Sequence, residues 1–202
     1  LTFTSSESTT NFILGDITVT NGAISNFAGS GDTYTATFTP TTDGASTIKV
    51  EAGDYTDAAS NDNTVSNTFA WTYDGTAPTM TITSTTVSSG DTSNDGTVAY
   101  VFTSNSPTAD FVETDITETG GTWSAFTAVT TVKYTATFTP TGQGATSVSV
   151  AAGAFTDAAG NDNTASNTFA WTYDSVGPTM TITATGLNTG GSSNAATVAL
   201  TF

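Results

Sequence analysis

The side chains in this chain with the means to do chemistry are its acids, and they come in groups. Asp110, Glu113 and Asp115 lie close together, as do Asp157, Asn161 and Asp162. Asp74 and Asp174 each stand a few residues before a proline, and Asp16 and Asp57 recur at corresponding places nearer the N-terminus. All are hard oxygen donors. Two carboxylates ~4 Å apart repel by about 4 kcal/mol at an effective dielectric of ~20. Calcium reverses that sign, because it takes roughly 6 to 8 oxygens from Asp, Glu, Asn and backbone carbonyls. With no His and no Cys in the sequence, no nitrogen or sulfur ligand favours a transition metal. The competing reading is that these are solvated loop acids that keep the protein soluble.

Composition excludes much else. The 202 residues include no Cys, no His and no Arg, and two lysines, Lys49 and Lys133, stand against eighteen acids for a net charge of −16. A disulfide framework, an iron–sulfur cluster, a haem site and a thiol nucleophile are therefore ruled out. A surface this acidic repels nucleic acid and anionic membranes, and no apolar run is long enough to cross a bilayer as a helix. A glycosidase needs two carboxylates flanking a cleft, and Lys49 and Lys133 align with Ser149 and Thr33 of the other repeat, so no lysine is kept for a crosslink. The expectation is no enzyme. Disorder is also rejected, since aromatic residues make up 10% of the chain and hydrophobic ones 36%. About a quarter of the residues are Thr, which is β-branched and suits the wet face of a sheet. The composition predicts an all-β protein.

The elements that must position these acids are repeated. Residues 56–74 read TDAASNDNTVSNTFAWTYD and residues 156–174 read TDAAGNDNTASNTFAWTYD, so two positions of nineteen differ at an offset of 100. PTMTIT occurs at 78–83 and 178–183, and YTATFTPT at 34–41 and 134–141. The chain reads as a tandem array. The units are 1–77, lacking its first strand, 78–177, complete, and 178–202, the first strands of a third. The expectation is a segment of a longer repetitive protein.

In the complete unit the patterning predicts strands at 78–83, 97–103, 115–119, 122–127, 132–139, 146–152 and 167–174. The clearest is YTATFT, where Tyr134, Ala136 and Phe138 alternate with threonines. Seven short strands with turn signals every 8 to 12 residues suggest tandem immunoglobulin-like β-sandwiches of the Greek-key type. Tyr134, Phe138, Val148, Val150, Phe169 and Trp171 are expected in the core, with Tyr34, Phe38, Ile48, Val50, Phe69 and Trp71 as their counterparts.

FVETDIT, YTATFTP, AGAFTDAAGNDNTASN and YDSVGPTMTIT together resemble the bacterial Ig-like repeats of giant calcium-dependent surface adhesins, over the whole chain. Similar repeats occur in large secreted proteins of microbial eukaryotes. The resemblance implies an extracellular, cell-surface stalk stiffened by calcium at its junctions, with no enzymatic activity.

Topology makes the same point independently. Walking up and down from the first strand, the loops carrying Asp110–Asp115 and Asp157–Asp162 fall at the end where the linker with Asp74 arrives. A calcium ion is expected there, held by a subset of Asp74, Asp110, Glu113, Asp115, Asp157 and Asn161. In the first unit Asn11 and Leu14 replace Asp110 and Glu113, so its site is expected to be weaker. Ser60 replaces Gly160, which is unfavourable if that position needs positive φ. The function expected is a structural spacer whose partners are the neighbouring repeats, with lateral assembly of repeats into a filament as an added possibility. The alternative is a glycan- or protein-binding adhesion module. Binding sites need diversified loops, and the loop at 156–168 is nearly identical to that at 56–68, which favours the spacer.

Overall fold

Threonine alternating with aromatic and aliphatic residues gives each strand a wet face and a dry one, and two such sheets close on their dry faces. The structure, a computed structural model, describes residues 1–108 and 110–202. The first unit has β1 (Thr2–Thr9), β2 (Ile17–Thr20), β3 (Gly22–Pro40), β4 (Gly44–Val50) and β5 (Phe69–Tyr73). β3 folds back on itself at Gly29 and Gly31, which both have positive φ, and this brings Gly22 under the ring of Phe38. β1 pairs with β3, and β2, β4 and β5 form the second sheet in the order β2-β4-β5.

The second unit has β6 (Met80–Ser84), β7 (Thr92–Ser93), β8 (Val98–Ser104), β9 (Ile116–Thr119), β10 (Gly121–Thr130), β11 (Lys133–Pro140), β12 (Gly144–Val150) and β13 (Phe169–Tyr173). Its sheets run β10-β11-β8-β6 and β7-β13-β12-β9. Registers repeat between the units. Tyr34 faces Phe3 as Tyr134 faces Phe102, and Ile17 faces Val50 as Ile116 faces Val150. β14 (Thr183–Ala184) and β15 (Leu200–Thr201) pair beyond them. Among the described residues no helix is long and apolar enough to cross a membrane.

The chain is all-β, and the seven expected strands of the second unit are present. Two features differ from the sequence reading. The third strand is preceded by a single 3-10 turn at Glu113–Asp115, so Asp115 ends that turn instead of opening the strand. The first strand also continues into the other sheet. After β6 the chain crosses over with Val87 buried, and β7 pairs in parallel with β13. The Gly90 N–H donates to the Ala170 carbonyl at 2.7 Å and the Asp174 N–H to the Ser93 carbonyl at 2.9 Å.

The second core gathers Met80, Ile82, Tyr100, Phe102, Phe111, Phe138, Phe155, Phe169 and Trp171. All six residues expected in it are buried. The Trp171 Nε1–H donates to the Tyr100 hydroxyl at 3.1 Å. Burial pushes that hydroxyl up to about 12. The first core is thinner. Tyr34, Ile48 and Val50 are buried, but Phe38 and Trp71 are half-buried, and Phe69 is 53% exposed where Phe169 is 5% exposed. The expectation for Phe69 is thus corrected. In the second unit β6 and the crossover behind it lie over this part of the sandwich, and residues 1–73 contain no equivalent strand.

Candidate functional site

Antiparallel pairing brings the expected loops together. Met80, at the start of β6, faces Ser104, at the end of β8, and Ile116, at the start of β9, faces Val150, at the end of β12. The β8–β9 loop, the β12–β13 loop and the incoming linker therefore meet at one end of the second unit.

Within that end each acid has its own local partners. Asp157 is 7% exposed. Its Oδ1 accepts the N–H groups of Ala159 at 2.9 Å and Asn161 at 3.0 Å, and its Oδ2 accepts the Asn161 side-chain amide at 3.1 Å. These bonds, the Asn161 backbone N–H first, hold the Asp157 carboxyl below its ordinary value. Asp57 is held low in the same way, with the Asn61 side-chain amide as the largest cause. Asp110 ties the two loops. Its oxygens accept the Thr156 N–H at 3.0 Å, the Thr156 hydroxyl at 2.7 Å and the Thr108 hydroxyl at 2.6 Å. Partial burial by itself would raise this carboxyl, but the threonine hydrogen bonds outweigh it and the net direction is down.

Asp115 and Asp16 close the 3-10 turns. Each Oδ2 accepts a backbone N–H three residues back, from Val112 and Ile13, at 2.8 Å. Glu113 is exposed, and Asp162 forms a backbone bridge with Thr156 while its side chain faces solvent. Asp74 and Asp174 each turn an oxygen onto the N–H two residues on, Thr76 at 3.1 Å and Val176 at 3.0 Å. The Asp74 carbonyl accepts the Asn161 amide at 3.0 Å, which joins the linker to the β12–β13 loop.

Oxygen donors of the right type for calcium are thus present, and Asp74, Asp110, Asp157 and Asn161 lie at one end. Among the described residues, however, no three acidic side chains gather closely enough to hold a metal ion. Asn11 makes the Asp110 contacts in the first unit, accepting the Thr56 N–H at 3.1 Å and donating to its hydroxyl at 3.2 Å. A neutral amide therefore serves the same purpose, so the role common to both units is hydrogen bonding between loops.

Sequence reasoning missed two sets of residues. Asn163, 2% exposed, organises the loop by accepting the Ala154 and Phe155 N–H groups and donating to the Ala151 and Thr164 carbonyls. Its signal was available in the NDN triplet common to both units. The other set clamps the linkers from the unit before. Asp43, in the β3–β4 turn, accepts the Gly75 N–H at 2.7 Å and the Thr76 hydroxyl. Those two bonds, the hydroxyl first, hold its carboxyl low. Gln143 does the same for Ser175, with bonds of 3.0 Å and 2.6 Å. No repeat signal marks this pair, because the two residue types differ.

Ser60 has φ 67° where Gly160 has φ 88°. The serine is therefore in the left-handed region that disfavours a Cβ. Ser60→Gly is expected to stabilise the first unit by about 1 kcal/mol, measured as a shift of its unfolding midpoint in urea.

No curated protein matches this chain. Among solved structures, that of InvD from Yersinia pseudotuberculosis is similar at 18% identity and a TM-score of 0.37, covering 83% of this chain. The chain spans about half the length of that structure, 50% of it. The sequence profile of a bacterial Ig-like domain matches residues 1–73 and again residues 74–173. Two successive matches over most of the chain, on strands that form all-β units of one repeated register, place it in a family: the chain belongs to the bacterial Ig-like domain family.

Proposed function

We propose that this chain is a spacer segment of a long repetitive extracellular surface protein, an adhesin or a filament, whose work is reach and stiffness. The observation that carries the reading is the linker at 74–79, which is bonded from both sides. Asp43 of the first unit holds Gly75 and Thr76. On the other side, Asn161 holds the Asp74 carbonyl, the Thr164 N–H donates to the Pro78 carbonyl at 2.9 Å, and Asn105 accepts the Thr79 N–H at 2.7 Å. A linker with no hydrogen bonds of this kind would act as a free hinge. The near-identity of the β12–β13 loop at 156–168 to residues 56–68 also favours a repeated joint over a diversified binding surface.

Calcium enters this reading as the counter-charge of the acidic loop end. Asp74, Asp110, Glu113, Asp115, Asp157, Asn161 and Asp162 would supply its oxygens, and extracellular modules bind calcium at ~10⁻⁴–10⁻³ M. The hydrogen bonds above already order the loops, so the ion's part would be to relieve repulsion at the joint. Small-angle scattering with and without chelator tests it. The expected result is a smaller maximum dimension after chelation, with both sandwiches still folded. Asp43→Ala should shorten the particle in either condition, because it frees the linker from the unit before it. Unchanged scattering in both experiments would remove the stiff-joint reading.

A further inference from the structure

The two segments that carry a pull into and out of the second unit are bonded directly to each other. The chain enters that unit through the linker at 74–79, at the end where the β8–β9 and β12–β13 loops meet. It leaves after β13, which begins at the β12–β13 loop and runs away from it to Tyr173. Tension along the chain therefore draws residues 78–93 one way and residues 164–174 the other.

A seam of hydrogen bonds joins these segments along the unit. The Thr164 N–H donates to the Pro78 carbonyl at 2.9 Å. The Asn167 side chain brackets Ile82, accepting its N–H at 2.8 Å and donating to its carbonyl at 3.0 Å. The Ser89 hydroxyl accepts the Ala170 N–H at 3.2 Å and donates to the Ala170 carbonyl at 3.3 Å. That carbonyl also accepts the Gly90 N–H at 2.7 Å, the Asp91 carbonyl accepts the Thr172 N–H at 2.8 Å, and the Ser93 carbonyl accepts the Asp174 N–H at 2.9 Å. Partners advance together along both segments, and Thr92 and Ser93 pair in parallel with Thr172 and Tyr173.

The parallel sense decides how the seam meets force. A pull on the start of one strand and the finish of its parallel neighbour runs along the strands and across their bonds. All the bonds are then loaded together. An antiparallel pair pulled apart at one shared end opens one pair at a time instead. Sliding the seam is also resisted by packing. Met80, Ile82 and Val87 on the entering segment and Phe169 and Trp171 on the leaving one are buried, so movement along the strands drags them through a close-packed interior. β8 holds the other edge of β6, from Met80 opposite Ser104 to Ser84 opposite Tyr100, which keeps the pull on β6 lengthwise.

We infer that this seam is the load-bearing element of the second unit. Under end-to-end tension it sets the force at which the unit unfolds, and it gives way while the sandwich core is still packed. A stalk under drag then keeps its length because its units resist shear, which stiff joints alone do not provide. That role, though not the seam itself, rests on the spacer reading.

Single-molecule pulling on the 202-residue chain tests it. The chain has no cysteine of its own, so handles attach only where one is introduced. Handles at the two chain ends load the seam in shear, and the longer gain in length marks the second unit, since an extended chain adds about 3.3–3.6 Å per residue. Handles at Gly142→Cys and the C-terminal end instead open the β12–β13 pair from Gly144 opposite Tyr173, and position 142 has open space for the side chain. The unfolding force is expected to be about twofold or more higher end to end than in this second geometry, because forced unfolding follows the unfolding rate along the loaded path. Ser89→Ala combined with Asn167→Ala should lower the end-to-end force more than Phe138→Ala does, although Phe138→Ala costs more stability in urea, because the ring is still packed when the seam gives. Ser89→Ala alone, at an exposed position, serves if the double variant fails to fold. The inference is overturned if the two geometries unfold at equal force, or if the loss of force among the variants follows their loss of stability in urea. Either result leaves the stiff-joint reading standing, and unchanged scattering with a strong seam would remove that reading and keep the seam.

Discussion

Phe138→Ala is expected to destabilise the second unit by about 3–5 kcal/mol, the usual range for removing a buried aromatic ring. Phe138 is fully buried at 0% exposure, and its ring lies 5.2 Å from Trp123 and 6.0 Å from Tyr100, both edge-on. It sits on β11, which is hydrogen-bonded between β8 and β10, so neighbouring strands cannot collapse into the gap without breaking their ladders. The loss is a large share of the roughly 5–15 kcal/mol that keeps a domain folded. Phe38→Ala removes the same ring from a half-buried place and should cost clearly less. Urea unfolding followed by fluorescence separates the units, since Trp71 reports on the first and Trp123 and Trp171 on the second. Equal losses in the two variants would refute the difference in burial between Phe138 and Phe38.

Gly121→Ala is expected to cost about 1–3 kcal/mol by overpacking. A Cβ at this position would lie 2.2 Å from the Phe138 ring and 2.6 Å from the Thr139 carbonyl oxygen. The ring cannot swing away, because Trp123 and Tyr100 pack on it, and the carbonyl is fixed in the β10–β11 ladder. Gly22 meets Phe38 and Thr39 at the same distances, so Gly22→Ala should destabilise the first unit in the same sense. Gly142→Ala, with nothing within 4 Å of its added Cβ, is the matched control and should shift stability by about 0.5 kcal/mol or less. A Gly121→Ala protein that unfolds at the wild-type midpoint would show that Phe138 does not lie over this glycine.

Much of this was legible in the linear chain. The 100-residue offset established a repeated unit, and the alternation of Tyr134, Ala136 and Phe138 with threonine placed those three on the dry face, because a strand's side-chain period is two. Convergence of the acidic loops and the linker on one end also followed from counting strands. The two-residue β7 did not, since two residues flanked by turns carry no period to read. The clamps by Asp43 and Gln143 were invisible because two different residue types meet linkers more than thirty positions away. For the acids themselves, residue type specified oxygen donors, while backbone geometry determined where each one points. Asp157 turned onto its own loop and Asp110 onto Thr156. Phe69 and Phe169 show the division most directly. They stand in the identical segment SNTFAWTYD, so every local rule assigns them one environment. One is 53% exposed and the other 5%, because burial is set by what packs over a residue, and the strand lying over Phe169 comes from more than eighty residues earlier in the chain.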